Sequence, residues 1–594
     1  MTDVPRDYWC LIPELYNNTI ISPEYRRYLS IPPITNDFYN ITPDEQINFN
    51  KTQWHKCIRY AINWTEILEQ TNIEDIVPNP TWPTEPCTNG WEYDLTDIES
   101  SIVVDFNLVC DRAIYPTIGL AALNVGGPVG VYFFGVLNDR LGRRISFFSC
   151  LATLIFGNCL TALSPNFWCW ASSRIIVGLT IPAVYQIPFI ISLELVGPNY
   201  RSFVTVLTCL FYTCGLMLLA GVTYLVRNWV ALSLVTSTPF LLYFIYWFFL
   251  PESPRWLLAK GRLEEALKIL ENLAKVNNKE LPPAFRQKLK QRMMLHRTLS
   301  EEARLKNGPG IGSLFRTPNM RLKTCLITLN WFASEMVYVG LSYYGPALGS
   351  NQYLSFLLSS AVEIPSYLLC WLVMDHWGRR WPLAISMISS GILCTITVLL
   401  PDDAVVATLV LFLLSKSAIS ASFLIIYPFS GELYPTQVRG IGIGLSAYVG
   451  GFGLILIPFI TYLGSENLKM PLVIMGTISV IGGLSCLRLP ETLHYRLPQT
   501  VEEGEKFGAD WTWNDCVRCV PLKPEVSTSS PYQETDIEND VEMSTVSMRN
   551  DNNEETTPLD SMKRRRSLNR LMRQQSVMDT QRDSDGAMKM TYWF

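Results

Sequence analysis

The sequence predicts an all-α, polytopic membrane protein made of two structurally equivalent halves. One observation is a set of eleven apolar runs, each with the roughly 20 residues that a helix needs to cross a bilayer. The other is that three motifs of the first half return in the same order in the second half. The runs are 113–137, 145–163, 167–194, 202–224, 228–250, 321–344, 353–374, 381–400, 404–428, 438–462 and 468–488.

The repeated motifs lie 236 to 239 residues apart. GVLNDRLGRR returns as MDHWGRR, ELVGPNYR returns as ELYPTQVR, and LPESPRWL is echoed by LPETLHYRL. Parallel halves related by an axis along the membrane normal are a transporter architecture. The second half has one span more than the first, so we expect a missing first helix that belongs upstream of Met1, as in a short isoform or an incomplete gene model.

Composition divides the chain into five segments. Residues 1–112 are polar and Pro-rich and predict an extracellular, glycosylated domain. Residues 113–250 and 321–488 are the two membrane halves, joined by amphipathic cytoplasmic helices in 251–320. Residues 489–594 have too little apolar content to fold and predict a disordered cytoplasmic tail. The net charge of −5 implies no nucleic-acid partner.

Cysteines and glycosylation sequons cluster in the first segment. Sequons in one segment together with an even number of cysteines predict an oxidising, extracellular environment. Four cysteines can pair in any of three ways. The predicted disulfide residues are Cys10, Cys57, Cys87 and Cys110, and the predicted glycosylation sites are Asn17, Asn40, Asn50 and Asn63.

The distribution of basic residues predicts the orientation of the chain in the plasma membrane, with the first segment outside and the tail in the cytoplasm. The loops on the predicted cytoplasmic side hold nearly all the arginines of the membrane region, whereas the opposite loops hold only Arg227 and Lys469. In the tail, Ser567 follows a basic run and predicts a kinase site. The C-terminal Tyr-Trp-Phe suits a PDZ-type partner, although chance explains it about as well.

These motifs resemble those of a known family. GVLNDRLGRR resembles the loop signature of the major facilitator superfamily, and PESPRWLLAKGRLEEA and GELYPTQVRGIGIG resemble signatures of its organic cation, anion and carnitine transporters. The resemblance covers roughly residues 8–500 and implies two six-helix pseudo-repeats, here with the first helix apparently absent. VEIPSYLLCWL and WFASEMVYVGLSYYGPALG look closest to the carnitine-type branch, and to insect members that handle carcinine or β-alanine.

We expect the duplicated loops to latch the two halves together on the cytoplasmic face, in part because of this resemblance. Gly135 and Gly142 should allow close approach, and Asp139 should cap the following helix and pair with Arg143 or a neighbouring arginine. Ion pairs are predicted within Glu194/Arg201 and Glu432/Arg439; the alternative is that these charges only fix topology. The predicted latch residues are Gly135, Asp139, Gly142, Arg143, Arg144, Glu194, Arg201, Asp375, Arg379, Arg380, Glu432 and Arg439.

Charged residues inside the predicted spans indicate a substrate site, since each costs roughly 2.5–3.5 kcal/mol on insertion scales. Both signs of charge suit a zwitterion or an amine. Trp331 and Tyr338 share a helical face with Glu335, and rings beside a carboxylate favour a cation. The alternatives are structural pairs, Glu335–Lys416 or Glu363–Arg174, and simple packing of the rings. The predicted substrate residues are Trp331, Glu335, Tyr338, Glu363, Lys416 and Arg174.

The sequence therefore predicts a plasma-membrane transporter, secondary-active or facilitative, for small organic cations or zwitterions such as carnitine, carcinine or β-alanine. It would work by alternating access, with the lipid bilayer as its surroundings and without catalytic residues, metal or cofactor. The lack of a P-loop excludes an ATP-driven pump. Two alternatives stay open: a sugar or organic anion porter, and a truncated isoform that acts as a non-transporting regulator or scaffold.

Overall fold

The computed structural model describes most of the membrane region and parts of the remaining chain. The described residues are 8–16, 23–33, 54–70, 76, 78–79, 81–95, 99–196, 201–279, 281–282, 284–291, 294, 311–349, 351–401, 404–435, 438–465, 467, 469–493, 498, 500–509, 579–582 and 588–591. The predicted sites at Asn17, Asn40, Asn50 and Ser567, the last three residues, and the side chains of Arg201 and Asp375 lie outside this description.

The first segment folds into two small antiparallel sheets with short helices. The strands are β1 (Tyr8–Cys10), β2 (Ile58–Tyr60), β3 (Thr84–Pro86) and β4 (Trp91–Tyr93), with β1 paired to β4 and β2 to β3. The helices are α1 (Pro13–Tyr16), α2 (Pro23–Ser30), α3 (Trp64–Gln70) and α4 (Ile102–Asp105).

Two disulfides and a small aromatic core hold this domain together. Of the three possible pairings, the structure has Cys10–Cys87 and Cys57–Cys110. Trp9, Trp54 and Trp64 are buried in its core. A domain this small has little apolar surface to bury, so covalent links that restrict the unfolded chain contribute much of its stability.

Among the described residues, the first membrane half contains five apolar helical segments and is followed by two short helices. The apolar segments are α5 (Tyr115–Leu141), α6 (Arg143–Ala162), α7 (Phe167–Leu195), α8 (Arg201–Leu225) and α9 (Trp229–Ser237), which continues as a 3-10 helix, Thr238–Phe248. A 3-10 turn, Cys110–Arg112, precedes α5, and the two short helices are α10 (Pro254–Ala259) and α11 (Leu263–Val276).

The second half contains six spans, each made of one helix or two. A short helix, α12 (Gly312–Arg316), leads into α13 (Pro318–Leu348), and a 3-10 turn, Leu463–Ser465, follows α18. The remaining helices are α14 (Gln352–Ala361), α15 (Glu363–Trp377), α16 (Arg380–Leu399), α17 (Val405–Leu433), α18 (Arg439–Tyr462) and α19 (Met470–Cys486).

Every predicted apolar run lies on helix. Among the described residues, nine helical stretches are long and apolar enough to cross a membrane. The other two predicted runs fall on α19, which is apolar but only 17 residues long, and on α13, which has 31 residues and carries charge at 321, 323 and 335. The predicted all-α polytopic fold is thereby confirmed.

One span is broken in its interior. The run predicted at 353–374 forms α14 and α15, which meet at Val362. Pro365 explains the break, because it lacks the N–H that would bond to the carbonyl of Ala361. Glu363 is the first residue after the break, so the chain places a carboxylate where the helix is interrupted inside the membrane region.

One short helix lies within the segment predicted as the tail. After α19, the helix α20 (Val501–Lys506) packs against the start of α13, where the Glu505 carboxylate accepts hydrogen bonds from the backbone N–H groups of Asn319 and Met320. The predicted boundary at residue 489 stays a prediction. A second unit, Val196–Phe203 with Leu522–Phe594, contains the antiparallel strands β5 (Asp579–Arg582) and β6 (Met588–Thr591).

Candidate substrate site

A buried ion pair joins two helices of the second half. Nζ of Lys416, on α17, lies 3.1 Å from Oε1 of Glu363, on α15, and neither side chain is more than 2% exposed. The ammonium also donates to the Tyr338 carbonyl at 3.0 Å and to the Ser342 hydroxyl, both on α13. Two opposite charges removed from water are tolerated only with close pairing and further hydrogen bonds, and this pair has both.

Three hydroxyl groups complete the environment of Glu363. Its Oε2 accepts from Tyr338 at 3.2 Å, from Tyr367 at 3.1 Å and from Thr213 at 3.3 Å. Thr213 lies on α8, in the first half, whereas the other two lie in the second. The carboxylate is thus bonded by both halves of the molecule at once.

The two structural pairs that were considered as alternatives do not form. Glu363 pairs with Lys416, so neither Glu335–Lys416 nor Glu363–Arg174 forms. Arg174 lies on α7, where its guanidinium is 5.4 Å from the ring of Trp170. Trp170 belongs to a cluster with residues 102–109 and Trp229, at the end of the bundle near the disulfide-linked domain. Arg174 therefore packs toward that end of the bundle.

Aromatic rings pack beside the ion pair. The ring of Tyr338 lies 3.5 Å from Nζ of Lys416 and stacks on Phe423, with ring centres 4.8 Å apart. Trp331 meets Tyr427 edge to face, with ring centres 4.6 Å apart. The sequence prediction found Trp331 and Tyr338 on α13 but missed their partners on α17.

A spacing signal could have found the missed residues. Phe423 and Tyr427 follow Lys416 by seven and eleven residues, the spacing of one helical face, and Tyr367 follows Glu363 by one turn. Across from them, the rings of Tyr185 on α7 and Tyr212 on α8 meet with centres 5.8 Å apart. Both halves therefore contribute aromatic side chains to the middle of the bundle.

Glu335 has surroundings unlike those of Glu363. It lies one turn from Trp331 on α13, is partly buried, and has no ion pair or hydrogen bond with any residue that the structure describes. Its carboxylate faces Gly450 of α18, where an added Cβ would lie 2.8 Å from Oε2. The buried indole N–H of Trp331, one turn away, likewise has no hydrogen-bond partner among the described residues.

At the first duplicated loop, a glutamate from the LPESPRWL motif caps a helix. Gly142 has φ +100° and separates α5 from α6, so only glycine adopts this turn without strain. Oε1 of Glu252 accepts from the backbone N–H of Arg143 at 2.8 Å, and its carboxylate also receives the N–H of Arg144. The carboxylate thereby satisfies the free N–H groups at the positive end of α6.

The second loop repeats this arrangement. Gly378 has φ +88°, and Glu491 accepts from the N–H groups of Arg379 at 2.9 Å and Arg380 at 3.0 Å. A Cβ at either glycine would lie 2.5 Å from the capping carboxylate. Two equivalent glutamates therefore hold equivalent turns, and sequence reasoning missed both. Their signal was in the repeated LPE of the two motifs.

Several predicted latch contacts need correction. Asp139 does not cap α6, since Glu252 occupies that role, and its side chain is 79% exposed, 3.5 Å from Arg143. A Cβ on Gly135 would meet nothing within 4 Å, so this glycine is not a point of close approach.

Two glutamates of the repeated motifs pair with arginines of the duplicated loops. Glu194 pairs with Arg143 at 3.3 Å, and Glu432 pairs with Arg379 at 3.3 Å, each within one half. For Glu432 this corrects the predicted partner, since Arg439 instead donates to the Tyr434 carbonyl at 3.4 Å. The predicted Glu194–Arg201 pair involves the Arg201 side chain, which lies outside the described residues.

Two related halves, membrane-length helices and a charged, aromatic centre define a multi-pass membrane transporter. Comparisons with known proteins identify its relatives. Residues 62–502 match the family described as sugar (and other) transporter. The carcinine transporter of Drosophila melanogaster is 58% identical over 100% of this chain and 89% of its own length. The beta-alanine transporter of the same species is 39% identical over 87% of each chain.

More distant relatives agree with this assignment. Organic cation transporter 1 of Caenorhabditis elegans is 38% identical over 82% of this chain and 80% of its own. The proton:xylose symporter XylE, bound to 6-bromo-6-deoxy-D-glucose, shares the fold with a TM-score of 0.51 and 17% identity over 68% of this chain and 92% of its own. The chain belongs to the organic cation, anion and carnitine transporter family of the major facilitator superfamily. It is a transporter and not an enzyme, as predicted.

Proposed function

We propose that this chain transports small organic cations or zwitterions, of the size of carcinine or β-alanine, by alternating access. The names of two relatives, the carcinine and beta-alanine transporters of Drosophila melanogaster, support this substrate class. The observation that carries the proposal is the charged and aromatic centre of the bundle, in which Glu363 is bonded by Lys416, by Tyr338 and, from the other half, by Thr213.

The substrate site lies between the halves at this level. Aromatic faces attract organic cations, and they do so more strongly where water is excluded. Trp331, Tyr338 and Glu335 form the wall on α13, and the Glu363–Lys416 pair adjoins it. Arg174, near the outer end of α7, contacts substrate on its path rather than at this level.

The ion pair also supplies a conformational sensor. Thr213 belongs to one half and Glu363 to the other, so movement of the halves past each other changes the hydrogen bonding of a buried carboxylate. A change of buried polar contacts of this kind biases a two-state equilibrium. The capped turns at Gly142 and Gly378 stay rigid, so each half moves as one body during that movement.

The protein resides in the plasma membrane with its disulfide-linked domain outside and its tail in the cytoplasm. Two disulfides support an oxidising environment for that domain. The sequon residue Asn63 is exposed there, and the arginine-rich loops favour the cytoplasmic side for the opposite ends of the spans. Surface biotinylation, together with a glycosidase-sensitive size shift that Asn63→Gln reduces, tests this orientation. A PDZ-type partner for the last three residues stays a prediction, which a binding array would test.

Uptake of radiolabelled carcinine and β-alanine into cells that express the chain tests the function. Surface protein is matched between samples by biotinylation. Saturable uptake of at least one compound above cells without the chain is the expected result. If neither compound enters at matched surface levels, the proposed substrate class is wrong; a sugar and an organic anion then serve as the next probes.

A further inference from the structure

A hydrogen bond joins the two halves of the molecule through α5 and α18. The side-chain amide of Asn124, on α5, donates to the backbone carbonyl of Leu454, on α18, at 2.7 Å. The first of these helices belongs to the first half and the second to the second half, and they pack against each other. This bond is a polar contact between the halves in addition to that of Thr213 with Glu363. A movement that separates α5 from α18 must break it.

The carbonyl of Leu454 needs this donor because of a proline. In an α-helix, the carbonyl of residue 454 bonds to the N–H of residue 458. Residue 458 is a proline inside α18 and has no N–H. Membrane helices that contain proline recover the lost bond from neighbouring helices, because no water in the bilayer core can replace it. Here the replacement donor, Asn124, comes from the other half of the molecule.

The internal repeat relates this contact to that of Thr213 with Glu363. Pro128 of α5 and Pro365 of α15 are 237 residues apart, which is the spacing of the repeated motifs. Thr213 of α8 and Gly451 of α18 are 238 residues apart. An added Cβ on Gly451 would lie 3.4 Å from Pro128, and Thr213 bonds to Glu363 near Pro365. The contact of α5 with α18 and the contact of α8 with α15 are therefore equivalent, and each contains a hydrogen bond between the halves.

The bond lies toward the end of the bundle that adjoins the disulfide-linked domain. Asn124 is nine residues from the start of α5, which follows that domain, and 17 residues from the end of α5 at Leu141. Leu454 is eight residues before the end of α18 at Tyr462, which is within electrostatic range of Tyr8 on β1. The bond therefore joins the halves on the side of that domain, which is the side proposed to face out of the cell.

We infer that Asn124 is a positioning residue of the transport cycle. Its bond to the carbonyl that Pro458 leaves free holds the halves together beside the disulfide-linked domain, and opening on that side breaks the bond. This inference rests on transport by alternating access, as proposed above. In the open arrangement water reaches the Leu454 carbonyl and takes the place of the amide. Without the amide, only the closed arrangement leaves the carbonyl unpaired, so loss of Asn124 favours opening on that side.

Asn124→Leu tests the inference, because it removes the amide and keeps a side chain of similar size. Carcinine uptake is measured in right-side-out and inside-out membrane vesicles, with sidedness verified by protease access to the disulfide-linked domain. Polar contacts of this kind between membrane helices shift an equilibrium by about threefold, and by at most about twentyfold. The apparent KM on the side of the domain should fall by this factor relative to the KM on the opposite side. Simple damage to folding lowers the maximal rate on both sides and leaves the ratio of KM values unchanged.

Pro458→Ala makes the test specific to the carbonyl. Alanine restores an N–H within α18, so Leu454 keeps a partner when the amide is absent. In this background, Asn124→Leu should change the KM ratio by less than about twofold, the error with which independent changes add. Pro458→Ala alone offers a competing donor and should shift the ratio in the same direction as Asn124→Leu, by a smaller factor. Asn158→Leu, on α6, which packs on α7 and α9 of the same half, is the matched control and should leave the ratio unchanged.

Each outcome decides between possibilities. If the wild type moves carcinine but Asn124→Leu leaves the KM ratio unchanged, or shifts it equally with and without Pro458→Ala, the inference alone is overturned. If the wild type moves neither carcinine nor β-alanine, the proposed function fails. Hydrogen exchange in peptides that end at Tyr462 then decides the inference: faster exchange in Asn124→Leu supports it, and unchanged exchange contradicts it. Should Asn124→Leu not reach the membrane, the direction of the shift in Pro458→Ala alone decides.

Discussion

Lys416 and Glu363 form an ion pair of 3.1 Å inside the second half, and the same carboxylate is bonded by Thr213 of the first half. These two contacts connect α15, which follows the break in its span, to α17 and to α8. A charge pair placed at a helix break and contacted from both halves has both a structural and a conformational consequence. The predictions below separate these consequences.

Neutralising Glu363 alone should be more harmful than removing the pair. Glu363→Gln leaves Lys416 buried without a counter-charge, and breaking such pairs in proteins costs about 3–5 kcal/mol. We expect a fall in thermal stability and at least a tenfold (~1.4 kcal/mol) loss of uptake. Glu363→Gln combined with Lys416→Met should recover much of the stability but not the uptake. Thermal melting of the purified variants measures the change in stability. Equal melting temperatures for the single and the double variant would contradict the account.

Removing the Thr213 hydroxyl should affect transport more than stability. Thr213→Val keeps the shape of the side chain and removes one of three hydrogen bonds to Glu363 Oε2. A single bond to a charged group contributes about 1.5–3 kcal/mol, and this one joins the two halves. We expect an altered maximal uptake rate with little change in KM. Serine at position 213 restores the hydroxyl and should restore the uptake rate. An uptake rate that Thr213→Val leaves unchanged would contradict a role of this hydrogen bond in transport.

The two capping glutamates should behave as equivalents. Glu252→Gln and Glu491→Gln each weaken the cap of one helix, a change of about 0.5–2 kcal/mol for N-caps in general. Alanine at Gly142 or Gly378 should cost more, because the turn has positive φ and the added Cβ would meet the carboxylate. Melting temperatures of the purified proteins test this expectation.

Gly135→Ala is the matched control for the capped loops, since a Cβ there meets nothing within 4 Å and alanine favours helix over glycine. It should melt at or above the wild-type temperature. A loss at Gly135→Ala equal to that at Gly142→Ala would show that the loops do not depend on the caps.

The contact between α20 and α13 should weaken in acid. Burial alone would raise the pKa of Glu505, but hydrogen bonds from Thr317 and from the N–H groups of Asn319 and Met320 outweigh it and hold the pKa below its ordinary value. A group whose pKa is lowered by docking stabilises the docked segment at pH values above its ordinary pKa of 4.5. This stabilisation is lost as the pH falls through the lower pKa that Glu505 has in the docked state.

Hydrogen exchange at residues 319 and 320 measures that docking. Exchange should accelerate as the pH falls below about 4.5, after correction for the intrinsic pH dependence. Glu505→Gln should accelerate it at neutral pH, and Glu503→Gln, on the same short helix, should not. Protection that is insensitive to both acid and Glu505→Gln would mean that the carboxylate does not hold the segment.

The disulfide pairing can be checked directly. Peptide mapping without reduction should find Cys10 linked to Cys87 and Cys57 linked to Cys110. Loss of one native disulfide typically costs about 2–5 kcal/mol in small secreted domains, so Cys10→Ser should lower surface delivery. Recovery of a Cys10–Cys57 peptide would contradict the fold described for this domain.

The membrane architecture could be predicted from sequence because it follows from simple constraints. Apolar length dictates a span, and the repeated motifs dictate equivalent halves. The disulfide pairing could not be predicted, since three pairings are compatible with the same four cysteines.

Side-chain partners were harder to predict than helices. Glu432 has Arg439 in its own motif, yet pairs with Arg379 from another loop. Glu363 likewise pairs with Lys416 rather than Arg174. Whether two side chains on different helices meet depends on how each helix is rotated about its axis and on how deep each residue lies in the bundle. The spacing of apolar residues does not specify either quantity. The repeated LPE could have predicted the two capping glutamates. The same acidic residue recurs at equivalent positions in both halves, and each helix start has free N–H groups that a carboxylate can satisfy.

Transport of an organic cation by the purified chain in liposomes tests the central claim most directly. With an inside-negative potential, radiolabelled carcinine should accumulate saturably and faster than without it, at about 2.3 kcal/mol per charge per 100 mV. Glu363→Gln liposomes, prepared with equal protein, should show little accumulation. Carcinine retention no greater than in protein-free liposomes, with folded protein verified in the membrane, would contradict the account.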